Sequence, residues 1–289
     1  MRDFENATRS DWIIDRALRT VIGTALALPY EKRVRWFGAT VERGVAPLAG
    51  YRKRAEDQLA FIWPDMPVKD RKTLARAVCN NFGRTMIENY SGADFSRKIE
   101  SATVTGDGLA PLADAKAQRR PVLFVTAHFG NHEAPRQALS HRGYKIGGLY
   151  RPIANPYFNA HYEKNMLDMS GEVFAQGRKG TAGFVRMLKQ GGMGTLLFDV
   201  RAKKFPQVSF MGQPAHTATS VADIALKLDA LVVPYFGIRQ PDGLSFDVAV
   251  ETPIALTDPT TMMAEITARL EARIHANPEQ WFWVHRRWN

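Results

Sequence analysis

The sequence is short of several things, and each shortage removes a class of protein. A single cysteine, Cys79, excludes an intrachain disulfide and any zinc site built on several thiolates, which suits a reducing compartment. It sits between Val78 and Asn80 in a helical pattern, where packing is its default role. Long apolar runs are missing: the longest early uncharged stretch, 20–30, is well short of the ~20 residues that span a bilayer. Asp3, Glu5, Asp11 and Asp15 precede any apolar run, unlike the basic start of a secretory signal, so no export is expected. There is no G-x-S-x-G elbow, no Walker A loop and no G-x-G-x-x-G after a strand. Nor is there an H-E-x-x-H, because Ala134, Pro135 and Arg136 follow His132-Glu133. His128 and His132 could share a metal, but no third ligand stands out by spacing, so no metal is expected.

Acidic residues are the scarcer charge. Against 39 Lys and Arg stand 29 Asp and Glu, a formal net charge of +10. That excess asks for an anionic partner: nucleic acid, an anionic membrane surface or a phosphorylated substrate. The basic residues are spread along the chain without a recognisable nucleic-acid module, so nucleic acid is not expected. With 289 residues and 45% hydrophobic content the chain can bury a full core, as one large α/β domain or one with a helical extension.

What is present divides near residue 100. Within 11–28 the residues Ile13, Ile14, Ala17, Leu18, Val21, Ile22, Ala25 and Leu26 recur in pairs every four, an amphipathic helix that either packs on the protein's own core or lies in a membrane interface. Two further helical patterns end at Pro47 and before Pro64, and a longer one covers 70–90 with Leu74, Val78, Phe82, Met86 and Ile87 on one side. Lys32, Arg33, Arg35, Arg52, Lys53 and Arg54 could present a basic face to lipid headgroups or simply to water. We take 1–100 as a helical, membrane-associating region and 101–289 as an α/β unit.

In the second part, strands expected at 102–105, 122–127, 145–150, 194–198, 231–236 and 245–250 alternate with helices at 109–116, 131–140, 156–169, 181–189 and 220–228. This is the pattern of a mostly parallel central sheet flanked by helices. Ligand sites in such sheets gather at the carboxyl ends of strands. His128 lies just past one end, and a strand followed by the first turn of a helix lets His128 and Glu133 face each other. A histidine held by a carboxylate is suited to take a proton from a hydroxyl. Arg151 and Asn155, in a segment stiffened by Pro152 and Pro156, follow a second end, where Arg151 could bind a phosphate or an oxyanion. Asp199 follows a third, ahead of Arg201, Lys203 and Lys204. The glycine-rich 177–183 could cradle a phosphate at a helix start, and the aromatic-rich 278–288 reads as a packed lid or an interfacial belt.

These residues carry a resemblance. His128-Phe129-Gly130-Asn131-His132-Glu133 resembles the H-x4-(D/E) motif of glycerolipid-type acyltransferases. With Tyr150-Arg151-Pro152, Asn155-Pro156, Asp199, Phe210-Met211-Gly212, Pro214-Ala215, Arg239 and the PEQWFWVHRRW ending, the chain resembles the late acyltransferases of lipid A synthesis, the lauroyl and myristoyl group. The resemblance implies transfer of a fatty acyl chain from acyl carrier protein to a hydroxyl of a lipid A precursor, or of another glycolipid or lysolipid acceptor, with no metal or bound cofactor. It implies a peripheral or monotopic protein on the anionic cytoplasmic face of the Gram-negative inner membrane. His128 would be the base, Glu133 its orienting partner, and Arg151, Asn155, Asp199 and Arg239 would bind substrate. Where relatives have Asp-Gln this chain has Asp199-Val200, and Asp15, Arg16 and Arg19 interrupt the apolar N-terminal anchor that many relatives carry.

Overall fold

The structure, a computed structural model, describes residues 7–288; Asp3 and Glu5 lie outside the described residues. A seven-stranded sheet forms the centre, in the order β1 (Thr103–Thr105), β9 (Phe246–Val250), β8 (Leu231–Arg239), β2 (Val122–Thr126), β5 (Met193–Leu197), β3 (Ile146–Tyr150), β4 (Val173–Ala175). All neighbours pair in parallel except β8 with β9. Helices α7 (Leu109–Ala117), α8 (Ala134–Ser140), α9 (Pro156–Ser170), α10 (Arg178–Lys189) and α11 (Ser220–Leu228) fill the connections.

The fully buried β2 shows why this layer is stable. Alternate side chains of a strand point to opposite faces, and here both faces are covered. Val122 and Phe124 join the core under α7 and α8, while Leu123 and Val125 join the core shared with α11 and α12 (Pro259–Ala276).

The expected strands and helices are all found, with boundary shifts of a few residues. The structure adds β4, the hairpin of β6 (Gln207–Phe210) and β7 (Gln213–His216), and α12 to that pattern. α12 has a readable signature: Asp258 caps it by accepting from the Thr260 and Thr261 amides, Pro259 opens it, and Met262, Ile266, Leu270 and Ile274 recur every four.

The N-terminal part is helical, with α1 (Arg9–Leu26), α2 (Tyr30–Thr40), a π-helical turn (Val41–Val45), α3 (Ala46–Leu48), α4 (Tyr51–Ile62), α5 (Val68–Tyr90) and α6 (Gly92–Glu100). Among the described residues no helix is long and apolar enough to cross a membrane. α1 resolves the question its periodicity left open: Ile22, Ala25 and the charged Asp15 are buried, whereas Ile13, Ile14, Leu18 and Val21 are 40–60% exposed. Its protein-facing side is polar at one end, since Asp15 pairs with Arg16 and Arg19, and the Asp11 carbonyl accepts from Asn155 Nδ2 at 2.8 Å. Half of the basic cluster of this region is paired with acids of the protein itself. Arg33 is buried against Asp94 and Ser91, while Arg52 and Lys53 pair with Glu56 and Asp57 one turn on.

Candidate active site

Three adjacent strands place the site. The parallel register of β2 with β5 sets Thr126 opposite Leu197, and the Phe198 amide continues it by donating to the Thr126 carbonyl at 3.3 Å. Two residues further on, each strand delivers a polar side chain: His128 from β2 and Asp199 from β5. His128 Nδ1 lies 2.9 Å from Asp199 Oδ1, and the His128 backbone N–H donates to Oδ2 at 3.0 Å. Trp281 Nε1–H gives Oδ2 a second bond at 2.9 Å. Asp199 is buried. Burial alone would raise its pKa, but the His128 charge and hydrogen bond, with His285 and the indole N–H of Trp281, hold it well below the usual carboxylate range. An ionised Asp199 fixes the His128 ring with Nδ1–H as donor, which leaves Nε2 free to act as a base.

Glu133, the partner that the resemblance implies for His128, is placed against Arg136. Its amide donates to Asn131 Oδ1 at 3.0 Å, and its carboxylate forms an ion pair with Arg136 Nη1 at 3.5 Å. The reason is local: α8 starts at Ala134, so Arg136 stands in the first turn within reach, and a guanidinium is a stronger partner for a carboxylate than a neutral imidazole. The acid within hydrogen-bond distance of His128 Nδ1 is Asp199, which the resemblance alone would place in substrate binding. Both Glu133 and His128 still face one cavity.

The turn between β2 and α8 is held from three sides. Gly130 has φ +53°, and a Cβ there would meet the Gly237 carbonyl at 1.9 Å, so only glycine lets this turn press against β8. Its carbonyl accepts from Thr85 Oγ1 at 2.8 Å and its N–H donates to the Gln280 carbonyl at 2.9 Å. The C-terminal segment crosses over the turn, with the Phe282 N–H donating to the His128 carbonyl at 2.9 Å. Trp281, Trp283 and Trp288 are buried around Phe210, so 278–288 is a packed strap. The His285 ring lies 4.6 Å from that of His128, and the His132 ring 5.7 Å. Burial pushes the pKa of both His132 and His285 down to about 4, so both are neutral near pH 7.

The cavity in front of His128 has a volume of about 690 Å³. One wall is apolar, built from Val78, Phe82, Met86 and Tyr90 at every fourth residue of α5 facing Phe158, Tyr162 and Met166 of α9. The lining also carries the polar groups of His128, Glu133, Arg136, Arg151 and Arg201. A cavity with an apolar wall and an imidazole in its lining can hold a hydrocarbon chain beside a base.

Arg239 and Asn155 are not in the cavity. Arg239 is buried, and its five N–H donors are committed: Nε to Asn81, Nη1 to Glu88 and the Gly243 carbonyl, Nη2 to Thr85 and Glu88. Glu88 in turn accepts from Asn131 Nδ2 at 3.0 Å, so Arg239 braces the turn that follows His128. Asn155 caps α9, accepting from the Phe158 N–H at 3.0 Å, and ties the Arg151 segment to α1. Two glycines of 177–183 serve packing: a Cβ on Gly180 would run into the Ala175 carbonyl, and Gly183 lies against the Phe174 ring, whereas a Cβ on Gly177 would meet nothing within 4 Å. Among the described residues no group of three His, Cys, Asp or Glu could hold a metal ion.

Comparison with known proteins agrees with this geometry. A family model described as bacterial lipid A biosynthesis acyltransferase matches residues 8–289. The lipid A biosynthesis lauroyltransferase of Escherichia coli (strain K12) is 26% identical over 243 residues, covering 79% of this chain and 76% of the relative. A lipid A biosynthesis acyltransferase of Haemophilus influenzae is 24% identical over 244 residues, covering 81% and 76%. Lipid A biosynthesis acyltransferase 2 of Shigella flexneri is 21% identical over 262 residues, covering 86% and 79%.

Proposed function

The chain belongs to the bacterial lipid A biosynthesis acyltransferase family, and from that premise we propose that it moves a fatty acyl chain from the thioester of acyl carrier protein to a hydroxyl of a lipid A precursor. The observation that carries the mechanism is the His128–Asp199 pair, whose imidazole lines a cavity with an apolar wall. His128 Nε2 takes the proton of the acceptor hydroxyl as its oxygen attacks the thioester carbonyl. The C–S bond then breaks, and the imidazolium returns its proton to the departing thiolate. Asp199 keeps the imidazole in the required tautomer and stabilises it when charged. Glu133 acts one step back, setting Arg136 at the cavity wall.

The site of action is the cytoplasmic face of the inner membrane. Support for attachment at the surface comes from α1, whose exposed Ile13, Ile14, Leu18 and Val21 have no protein to cover them among the described residues. Such a stripe is suited to the boundary between headgroups and acyl chains.

Purified enzyme, given acyl carrier protein charged with a fatty acid and a lipid A precursor, should yield the acylated lipid by mass spectrometry. His128→Ala should lose about a hundredfold to ten-thousandfold in rate. Transfer by that variant at the parent rate would end the assignment of the base.

A further inference from the structure

Helix α10 (Arg178–Lys189) carries four cations, Arg178, Lys179, Arg186 and Lys189, and no acid. All four are exposed, and none has a side-chain hydrogen bond or ion pair with any described residue. Helices elsewhere in the chain pair such charges within one turn: Lys53 with Asp57, Lys164 with Asp168, Arg269 with Glu265. Helix α11 packs beside α10, and its one acid, Asp223, is already held by Thr219. The charges do nothing for α10 itself. Arg178 and Lys179 stand in the first turn, where the macrodipole favours acids, and Arg186 and Lys189 are like charges three residues apart. Cations set against local preference and left without a partner point to something outside the chain.

Their spacing gives the charge a shape. Arg178, Ala182, Arg186 and Lys189 fall on one face of the helix over about 16 Å, the length of three turns. The shorter side chains of Thr181, Ala182 and Val185 lie between the long basic ones, which leaves an open groove of about 620 Å³. On the other side Phe184 and Leu188 are fully buried, so the groove has a rigid floor. It begins where the acyl cavity ends: Gly177 lines the groove and Gln176 lines the cavity, with the Gln176 N–H tied to the Tyr150 carbonyl at 2.7 Å.

This surface is unlike that of α1. α10 exposes no large aliphatic or aromatic side chain, whereas Ile13, Ile14, Leu18 and Val21 of α1 face outward. A bilayer surface rewards insertion of apolar side chains; a groove between basic side chains takes a ridge, and a helix with carboxylates along one face is such a ridge.

We propose that α10 is the docking surface for the donor protein: an acidic helix of acyl carrier protein lies in the groove against Arg178, Arg186 and Lys189, and the arm that bears the thioester enters the cavity past Gln176. The inference rests on the acyl-transfer reading for the identity of the donor; the acidic, helical character of the partner comes from the groove. Opposite charge on the two faces speeds encounter and fixes the orientation of the arm.

The test uses Arg178→Glu with Arg186→Glu, and the milder Arg178→Gln with Arg186→Gln, neither of which touches the cavity lining. Calorimetric titration with acyl carrier protein should show affinity about tenfold or more lower in the charge-reversed protein, a smaller loss in the glutamine pair, and a shallower salt dependence in both. With acylated carrier protein as donor the KM should rise by the same factor while kcat holds, and with acyl-pantetheine, which lacks the protein, KM should not move. Unchanged carrier-protein affinity in both variants would overturn the docking surface, as would an equal KM rise with the two donors. Weakened binding to phosphatidylglycerol vesicles with carrier-protein binding intact would assign the face to the membrane and also overturn it. The two readings fail separately. Carrier protein bound through α10 by a chain that transfers no acyl group would leave the docking surface standing and remove the acyl-transfer reading. Transfer from acylated carrier protein with the same KM in parent and variants would do the reverse.

Discussion

α1 and the carboxyl-terminal edge of the sheet at its central strands β2 and β5 handle charge and apolar surface in opposite ways. At the sheet, Val122 to Val125 are buried on both faces, and the one buried acid, Asp199, is met by three donors. In α1 the buried acid, Asp15, makes the inward contact, while four large aliphatic side chains face out. Burial of apolar surface stabilises a fold at roughly 25 cal/mol per Å², so a helix that leaves Ile13, Ile14, Leu18 and Val21 uncovered forgoes several kcal/mol. The sheet edge is finished by the protein itself, and the aliphatic stripe of α1 is left exposed.

The sheet edge breaks most sharply at Asp199. Asp199→Asn keeps size and polarity but removes the charge that fixes the His128 tautomer, so the acyl-transfer rate should fall by about two to four orders of magnitude. Glu133→Gln should cost less, since its carboxylate serves Arg136. A Glu133→Gln protein as impaired as Asp199→Asn would return the orienting role to Glu133. The α1 side comes next: Ile14→Ser with Leu18→Ser should lower partitioning onto anionic vesicles about a hundredfold, at ~1.5 kcal/mol or more for each exposed side chain, with the melting temperature held. A drop in melting temperature together with unchanged vesicle binding would mean that these residues pack on protein. Trp281→Phe is milder, because it keeps the ring and deletes one hydrogen bond to Asp199, worth ~1 kcal/mol or about fivefold in rate.

The two regions are also unequally legible in the sequence. Short strands alternating with helical stretches, with turn residues between, locate the strands that bear His128, Arg151 and Asp199. Spacing cannot say which acid His128 chooses. Glu133 is five residues away in sequence, whereas Asp199 is seventy-one away and adjacent only through the β2–β5 pairing. Arg239 is similar: the resemblance marks it as a substrate group, and only the fold brings Glu88, Asn81 and Thr85 of α5 against its guanidinium. For α1, periodicity shows that two faces exist. Which one turns outward is decided by the contacts of Asp11, Asp15 and Arg19 with the α9 segment.

Acid should expose the smallest difference between the regions. His132 and His285 flank His128 with pKa values lowered from 6.5 to about 4, so the fold holds them neutral while the unfolded chain protonates them. The unfolded state then binds more protons between those values. The stability they lend is complete above pH 6.5 and is lost as pH falls towards 4. Asp199 acts in the same direction but lower: its pKa lies below the ordinary carboxylate value of 3.8, so its contribution survives until still more acidic conditions. A melting-temperature profile should therefore fall between pH 6.5 and 4. His285→Phe, which keeps a ring against His128 and Phe282 but cannot titrate, should flatten that fall by a few degrees. Parallel profiles for the two proteins would show that the unfolded chain gains nothing by protonating His285. The α1 variants should follow the parent profile throughout, because none of their altered side chains titrates.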